Sequence, residues 1–265
     1  MEWIGYAGAL FIGISLGLIG GGGSILTVPV LVYLFNVEPV TATAYSLFIV
    51  GATSLAGVYP KYRAAQVNLR TAFFFGLPSL AAVFAARVWL LPAVPYQITS
   101  IGDFIVTKPL LLLIVFAILM VIASISMIRN TRPAEALPTD LPAPDFLLML
   151  AGVAEGTLTG MVGAGGGFLI IPVLVLLGKL SVRTAIGTSL LIIAVKSLIG
   201  FFVDPARHHV DWTLLLTITG IAIVGVFTGN AIAQHVPARR LRQAFGWFVL
   251  AMGIYILLRE LVFSN

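Results

Sequence analysis

Cysteine is absent from the 265-residue chain, and charge is scarce: 9% of the residues are Asp, Glu, Lys or Arg. Without thiols there are no disulfides, no cysteine nucleophile and no thiolate-held metal. Three histidines, two of them adjacent in a polar stretch, make a poor metal site. No HExxH motif, paired aspartates or Ser–His–Asp set falls within the apolar stretches, so neither catalytic nor metal-ligating residues are assigned and no cofactor is expected. A soluble domain carries about 25% charged residues. With 60% hydrophobic residues and a mean hydropathy of +1.09, the chain reads as an all-α polytopic membrane protein. The net charge of +5 is spread over the loops and does not point to nucleic acid. The opening MEWIGYAGAL lacks a basic start, so it reads as the first membrane segment and not as a cleaved signal.

Eight apolar segments are expected, at about Trp3–Phe35, Val40–Val58, Leu69–Leu91, Pro109–Ile128, Phe146–Leu177, Ala185–Val203, Trp212–His235 and Leu241–Val262. Six approach the roughly 20 residues that a helix needs to cross a bilayer. The first and fifth are too long for one crossing and too short for two, and each holds a glycine cluster near its middle. The proline-rich, charged stretch 129–145 reads as a linker between halves 1–128 and 146–265.

The halves repeat. Gly17-Leu-Ile-Gly-Gly-Gly-Gly-Ser-Ile-Leu-Thr-Val-Pro29 returns 143 positions later as Gly160-Met-Val-Gly-Ala-Gly-Gly-Gly-Phe-Leu-Ile-Ile-Pro172. The same offset aligns Thr41 with Thr184, Ser46 with Ser189 and Ser54 with Ser197. Two clusters in register indicate an internal duplication. The pattern G-x-x-G-x-G-G-G-x-x-x-x-P in both halves resembles the TauE/SafE family of membrane transporters, and the match extends over nearly the whole chain. The first copy departs from it at Ser24, where the second has Gly167. The resemblance implies a transporter of small anions, with export of sulfite or small organosulfonates such as sulfoacetate.

Charge placement bears on topology. If all eight segments cross, the loop Lys and Arg residues divide 7 against 7, and the positive-inside rule finds no bias. If the first and fifth segments dip in and return, they divide 10 against 4, with Arg87, Lys108, Arg207 and Arg259 on the poorer side. Three crossings then remain per half. An odd number inverts the second half and puts both termini outside the cytoplasmic membrane.

Broken helices explain the glycines. Irregular backbone at membrane depth is tolerated only inside protein or beside a water-filled cavity, and a helix restarting there directs free N–H groups at an anion. Gly20, Gly21, Gly22, Gly23 and Ser24 form one candidate cradle, and Gly163, Ala164, Gly165, Gly166 and Gly167 the other. The alternative is that these glycines serve close helix packing. Ser189 and Lys196 share one helix face, as do Ser46 and Thr53 at the matching spacing. Lys196 is open to three readings: attraction of substrate, a structural pair with Glu155, or snorkelling to the interface. Glu155 is also a candidate for carrying a coupled proton. The expected partners are a small anionic substrate and the lipid bilayer. A channel remains the alternative to a carrier.

Overall fold

The computed structural model describes residues 2–101, 104–129, 144–162, 166–204, 210–233 and 238–262. The helices are α1 (Glu2–Ile19), α2 (Thr27–Leu34), α3 (Pro39–Arg63), α4 (Leu69–Ala85), α5 (Leu91–Ala93), α6 (Lys108–Arg129), α7 (Asp145–Val162), α8 (Gly167–Leu176), α9 (Val182–Val203), α10 (Trp212–Ala233) and α11 (Ala238–Val262). A 3-10 segment, Gly21–Leu26, joins α1 to α2. A π turn, Ala86–Leu90, makes α4 and α5 one continuous rod. Five of these rods are long and apolar enough to cross a membrane. Large apolar side chains such as Phe73, Leu77, Val195 and Phe227 point outward, as a lipid-facing surface requires and a water-facing one does not tolerate. One feature outside the expected helices is an antiparallel hairpin, β1 (Gln97–Ile101) with β2 (Phe104–Thr107), in which Ile101 pairs with Phe104.

Local structure repeats at the offset seen in the sequence. Asn36 and Lys179 both adopt positive φ. Glu38 caps α3 by accepting from the Thr41 N–H at 2.9 Å, and Ser181 caps α9 by accepting from the Thr184 N–H at 3.2 Å. Asn68 and Asp211 do the same for α4 and α10, accepting from Thr71 and Leu214. Each cap satisfies an amide that the helix ladder leaves unpaired. Packing follows the same rule: α1 lies along α10 while α7 lies along α4, α3 crosses α9, and α6 pairs with α11.

The long segments are broken and turn back. The Gly5 position meets the Phe35 ring, Gly8 meets Val30 and Leu34, and Gly23 meets Leu16, so α1 and α2 run as a hairpin. Tyr6 stacks edge-on with Phe35 at 5.7 Å, and the Tyr33 hydroxyl donates to Glu260 at 3.0 Å. The N-terminal, α2-terminal and α11-terminal ends therefore share one end of the bundle. The second broken segment starts and finishes at the other end. Arg70 donates to Asp145 at 3.0 Å, and the Asn68 amide donates to Thr188 Oγ1 at 2.9 Å. The loop at 64–68 and the first turn of α4 thus touch both the start of α7 and the helix that follows α8.

The α1–α10 and α4–α7 contacts are backbone-close. A Cβ on Gly13 would fall on the Ala222 carbonyl oxygen, and one on Gly156 on the Ser79 carbonyl oxygen. These are positions 143 apart meeting partners 143 apart. Here glycine does serve close helix approach, one turn and more before the breaks themselves.

Candidate functional site

The two breaks meet. Gly21 and Gly167 lie backbone to backbone, with Ile186 and Ile193 of α9 over Gly20 and Gly21. Ile193 is at the middle of α9, so the contact lies deep in the bundle. Gly20 has φ 75° and ψ −145°, a conformation open essentially to glycine alone. Gly166 has φ 73° and ψ 4°, and its carbonyl oxygen accepts from the Leu169 and Ile170 amides as α8 begins. Ser24 turns its hydroxyl onto the Gly21 carbonyl at 2.7 Å. Gly163, Ala164 and Gly165 lie outside the described residues, and for Gly22 the backbone alone is described, within the 3-10 segment.

A buried charge cluster abuts the second break. Lys196 is 1% exposed and Glu155 4%, and the two form an ion pair. Glu155 Oε2 also accepts from the Ser79 hydroxyl at 2.7 Å. The Thr159 hydroxyl lies 2.9 Å from Oε1, and Lys196 Nζ donates to it at 3.3 Å. A Cβ on Gly166 would strike Glu155 Oε1. The carboxylate therefore occupies the start of α8, where the partial positive charge of a helix N-terminus favours an anion. Lys196 neutralises it, and the hydroxyls of Ser79 and Thr159 satisfy what remains. The Lys196 ammonium does not reach the surface. An apolar crevice of about 280 Å³ between α4 and α9 is lined by its side chain together with Phe73, Leu77, Ile192 and Val195.

Several buried hydroxyls are held without partners. Thr27, Ser46, Ser54 and Ser197 are wholly buried, and their side-chain oxygens have no hydrogen-bond partner among the described residues. Thr53 and Ser189 instead bond back to their own helices, at 2.6 Å to the Ile49 carbonyl and 2.9 Å to the Ile186 carbonyl. Of the hydroxyls singled out from the sequence, Ser46 is thus the one with capacity left for a ligand. Ser54 and Ser197, aligned by the repeat but not singled out, share that property.

Arg87 corrects the charge tally. Its guanidinium is not in a loop; it is fully buried, 2.5 Å from Asp204 Oδ2 and 3.0 Å from Thr43 Oγ1. Without it the poorer side of the re-entrant arrangement keeps Lys108, Arg207 and Arg259, of which Lys108 opens α6, Arg259 lies in the last turn of α11 and Arg207 lies outside the described residues. His208 and His209 lie outside the described residues.

The comparisons agree with this architecture. The family described as "Sulfite exporter TauE/SafE" matches residues 6–256. A "Probable membrane transporter protein" of Xylella fastidiosa (strain 9a5c) is 32% identical over 255 residues, covering 94% of this chain and 92% of that protein. The "Probable membrane transporter protein YdhB" of Bacillus subtilis (strain 168) is 26% identical over 251 residues, covering 93% and 96%. "Probable membrane transporter protein MJ0441" of Methanocaldococcus jannaschii is 31% identical over 116 residues, covering 42% of this chain and 43% of that protein. No solved structure matches. With a family match over nearly its whole length and five apolar helices long enough to cross a membrane among the described residues, the chain is a multi-pass membrane transporter that belongs to the sulfite exporter TauE/SafE family.

Proposed function

We propose that the protein is a carrier that exports a small anion, sulfite or a small organosulfonate such as sulfoacetate, across the cytoplasmic membrane by alternating access. The observation that carries this reading is the meeting of the two glycine breaks at Gly21 and Gly167 beside the Lys196–Glu155 pair. Inverted-repeat transporters place their sites where broken helices face each other at the repeat interface. The two halves are read as such a pair, each with one re-entrant segment and three crossings. Both termini are then outside, and the loops at 64–68 and 178–181 are in the cytoplasm, the first flanked by Lys61, Arg63 and Arg70 and the second by Arg183 with Lys179 within it.

Glu155 gives the cycle its logic. While ionised it fills the N-terminal end of α8 and ties up Lys196. On taking a proton it gives up that claim, and a substrate anion takes its place between the ammonium and the α8 amides. A carrier is favoured over a channel because the Gly21 and Gly167 backbones touch. An anion passes between them only if the halves part.

Counterflow in proteoliposomes tests the proposal. Vesicles loaded with unlabelled sulfite should accumulate labelled sulfite transiently and saturably. Sulfoacetate should compete, and sulfate and simple carboxylates should compete weakly. Flux that neither saturates nor shows counterflow would make the protein a channel. Preference for carboxylates over every sulfur oxyanion would overturn the substrate class.

A further inference from the structure

Arg87 holds more hydrogen-bonding capacity than its known partners use. Its Nη1 serves both Asp204 and Thr43. Its Nε and Nη2 are buried and have no hydrogen-bond partner among the described residues. Those two nitrogens are the edge of the guanidinium whose N–H bonds run parallel, the edge that grips two oxygens of one oxyanion. A cation kept only to pair Asp204 needs one nitrogen, and a lysine would supply it. Leaving two further donors dry is costly, so the free edge calls for a ligand with two acceptors.

The surroundings fit. Arg87 sits in the π turn Ala86–Leu90, where the Leu91 amide reaches back to the Ala86 carbonyl. Pro92 follows and has no N–H to continue the normal ladder, and π turns are frequent at functional positions. Ser46, whose buried hydroxyl is unpartnered, lies one turn beyond Thr43 on the same face of α3. Arg87 is eight residues from Ser79 on the α4 rod, and Asp204 eight residues from Lys196 at the end of α9. At 1.5 Å per residue both separations are about 12 Å. The Arg87–Asp204 pair therefore ties the α4 rod to the end of α9 about 12 Å along from the cluster of Ser79, Glu155 and Lys196, nearer the end that carries the chain termini.

We propose that Arg87 is a second anion site, in which its Nε–Nη2 edge takes a small oxyanion in a bidentate grip while Asp204 and Thr43 hold the guanidinium in place. This rests on the anion-transport reading above. The site is a way station on the terminus-bearing side of the central one. It selects for oxyanions over spherical halides, because a halide engages one point and not two.

The test is Arg87→Lys, which keeps the charge and the Asp204 pair and removes the two-pronged edge. Labelled sulfite flux is measured in proteoliposomes with chloride as competitor. The KM for sulfite should rise at least tenfold, and the preference for sulfite over chloride should fall by a similar factor, in protein of normal folded yield. Unchanged KM and selectivity would overturn the inference while leaving transport standing. No sulfite flux through the wild type would overturn the transport reading and this inference with it. Should Arg87→Lys fail to fold, Thr43→Val decides. Removing the hydroxyl that helps hold the guanidinium, with both charges kept, should raise the KM for sulfite severalfold, and an unchanged KM would contradict the site.

Discussion

Lys196→Met should destabilise the protein by about 3–5 kcal/mol, the usual consequence of removing one partner of a buried pair. The reason lies on the Glu155 side. Its carboxylate stays buried against the start of α8, with only the Ser79 and Thr159 hydroxyls left to it. The neutral pair Glu155→Gln/Lys196→Met should recover most of the loss, since no charge is then stranded. Transport should not recover, because the ammonium that attracts the anion is gone. Thermal unfolding in detergent, read beside sulfite flux, checks both halves. Recovery of stability together with full flux would show that the pair is purely structural. Full flux and full stability in Lys196→Met alone would remove both roles.

The second large effect is expected at Gly156→Val. Its Cβ would fall on the Ser79 carbonyl oxygen, which is backbone and has no room to move. Overpacking in a tight interior typically costs 1–3 kcal/mol, and a clash with helix backbone should exceed about 3 kcal/mol on the same scale. It would also separate Ser79 from Glu155, so folded yield and transport should fall together. Gly220→Ala is the control. A Cβ there meets nothing within 4 Å, and alanine favours the helix by roughly 1 kcal/mol over glycine. Equal folded yield for both variants, measured by size-exclusion chromatography, would contradict the close α4–α7 contact.

Much of this was legible in the sequence because length and glycine placement are direct physical signals. Overlong apolar segments with central glycines announced the breaks, and the 143-residue offset recurs in the caps that the structure shows at Asn68 and Asp211. Partnerships between distant residues were not legible. Ser79 and Thr159 look like ordinary helical hydroxyls until α4 and α7 pack. Arg87 passed for a loop cation because it stands near a segment end. The offset gave no warning either, since it matches Arg87 with Asn230 and Asp204 with Lys61, so this pair occurs in one half only. The hairpin did have a signal. The stretch Ile98–Thr107 sets β-branched residues on both sides of a Gly-Asp pair, a strand–turn–strand pattern overshadowed by the long helices on either side.

The most direct test of an anion site at the meeting breaks is to locate the anion itself. Selenite has the shape and charge pattern of sulfite, and its selenium scatters anomalously. Crystals of the wild-type protein grown with selenite should show an anomalous peak beside the Gly21–Gly167 contact, within hydrogen-bond reach of Lys196. The same peak should be absent from Lys196→Met/Glu155→Gln crystals. Peaks confined to the outer surface in saturating selenite, with the breaks still packed against each other, would contradict the account.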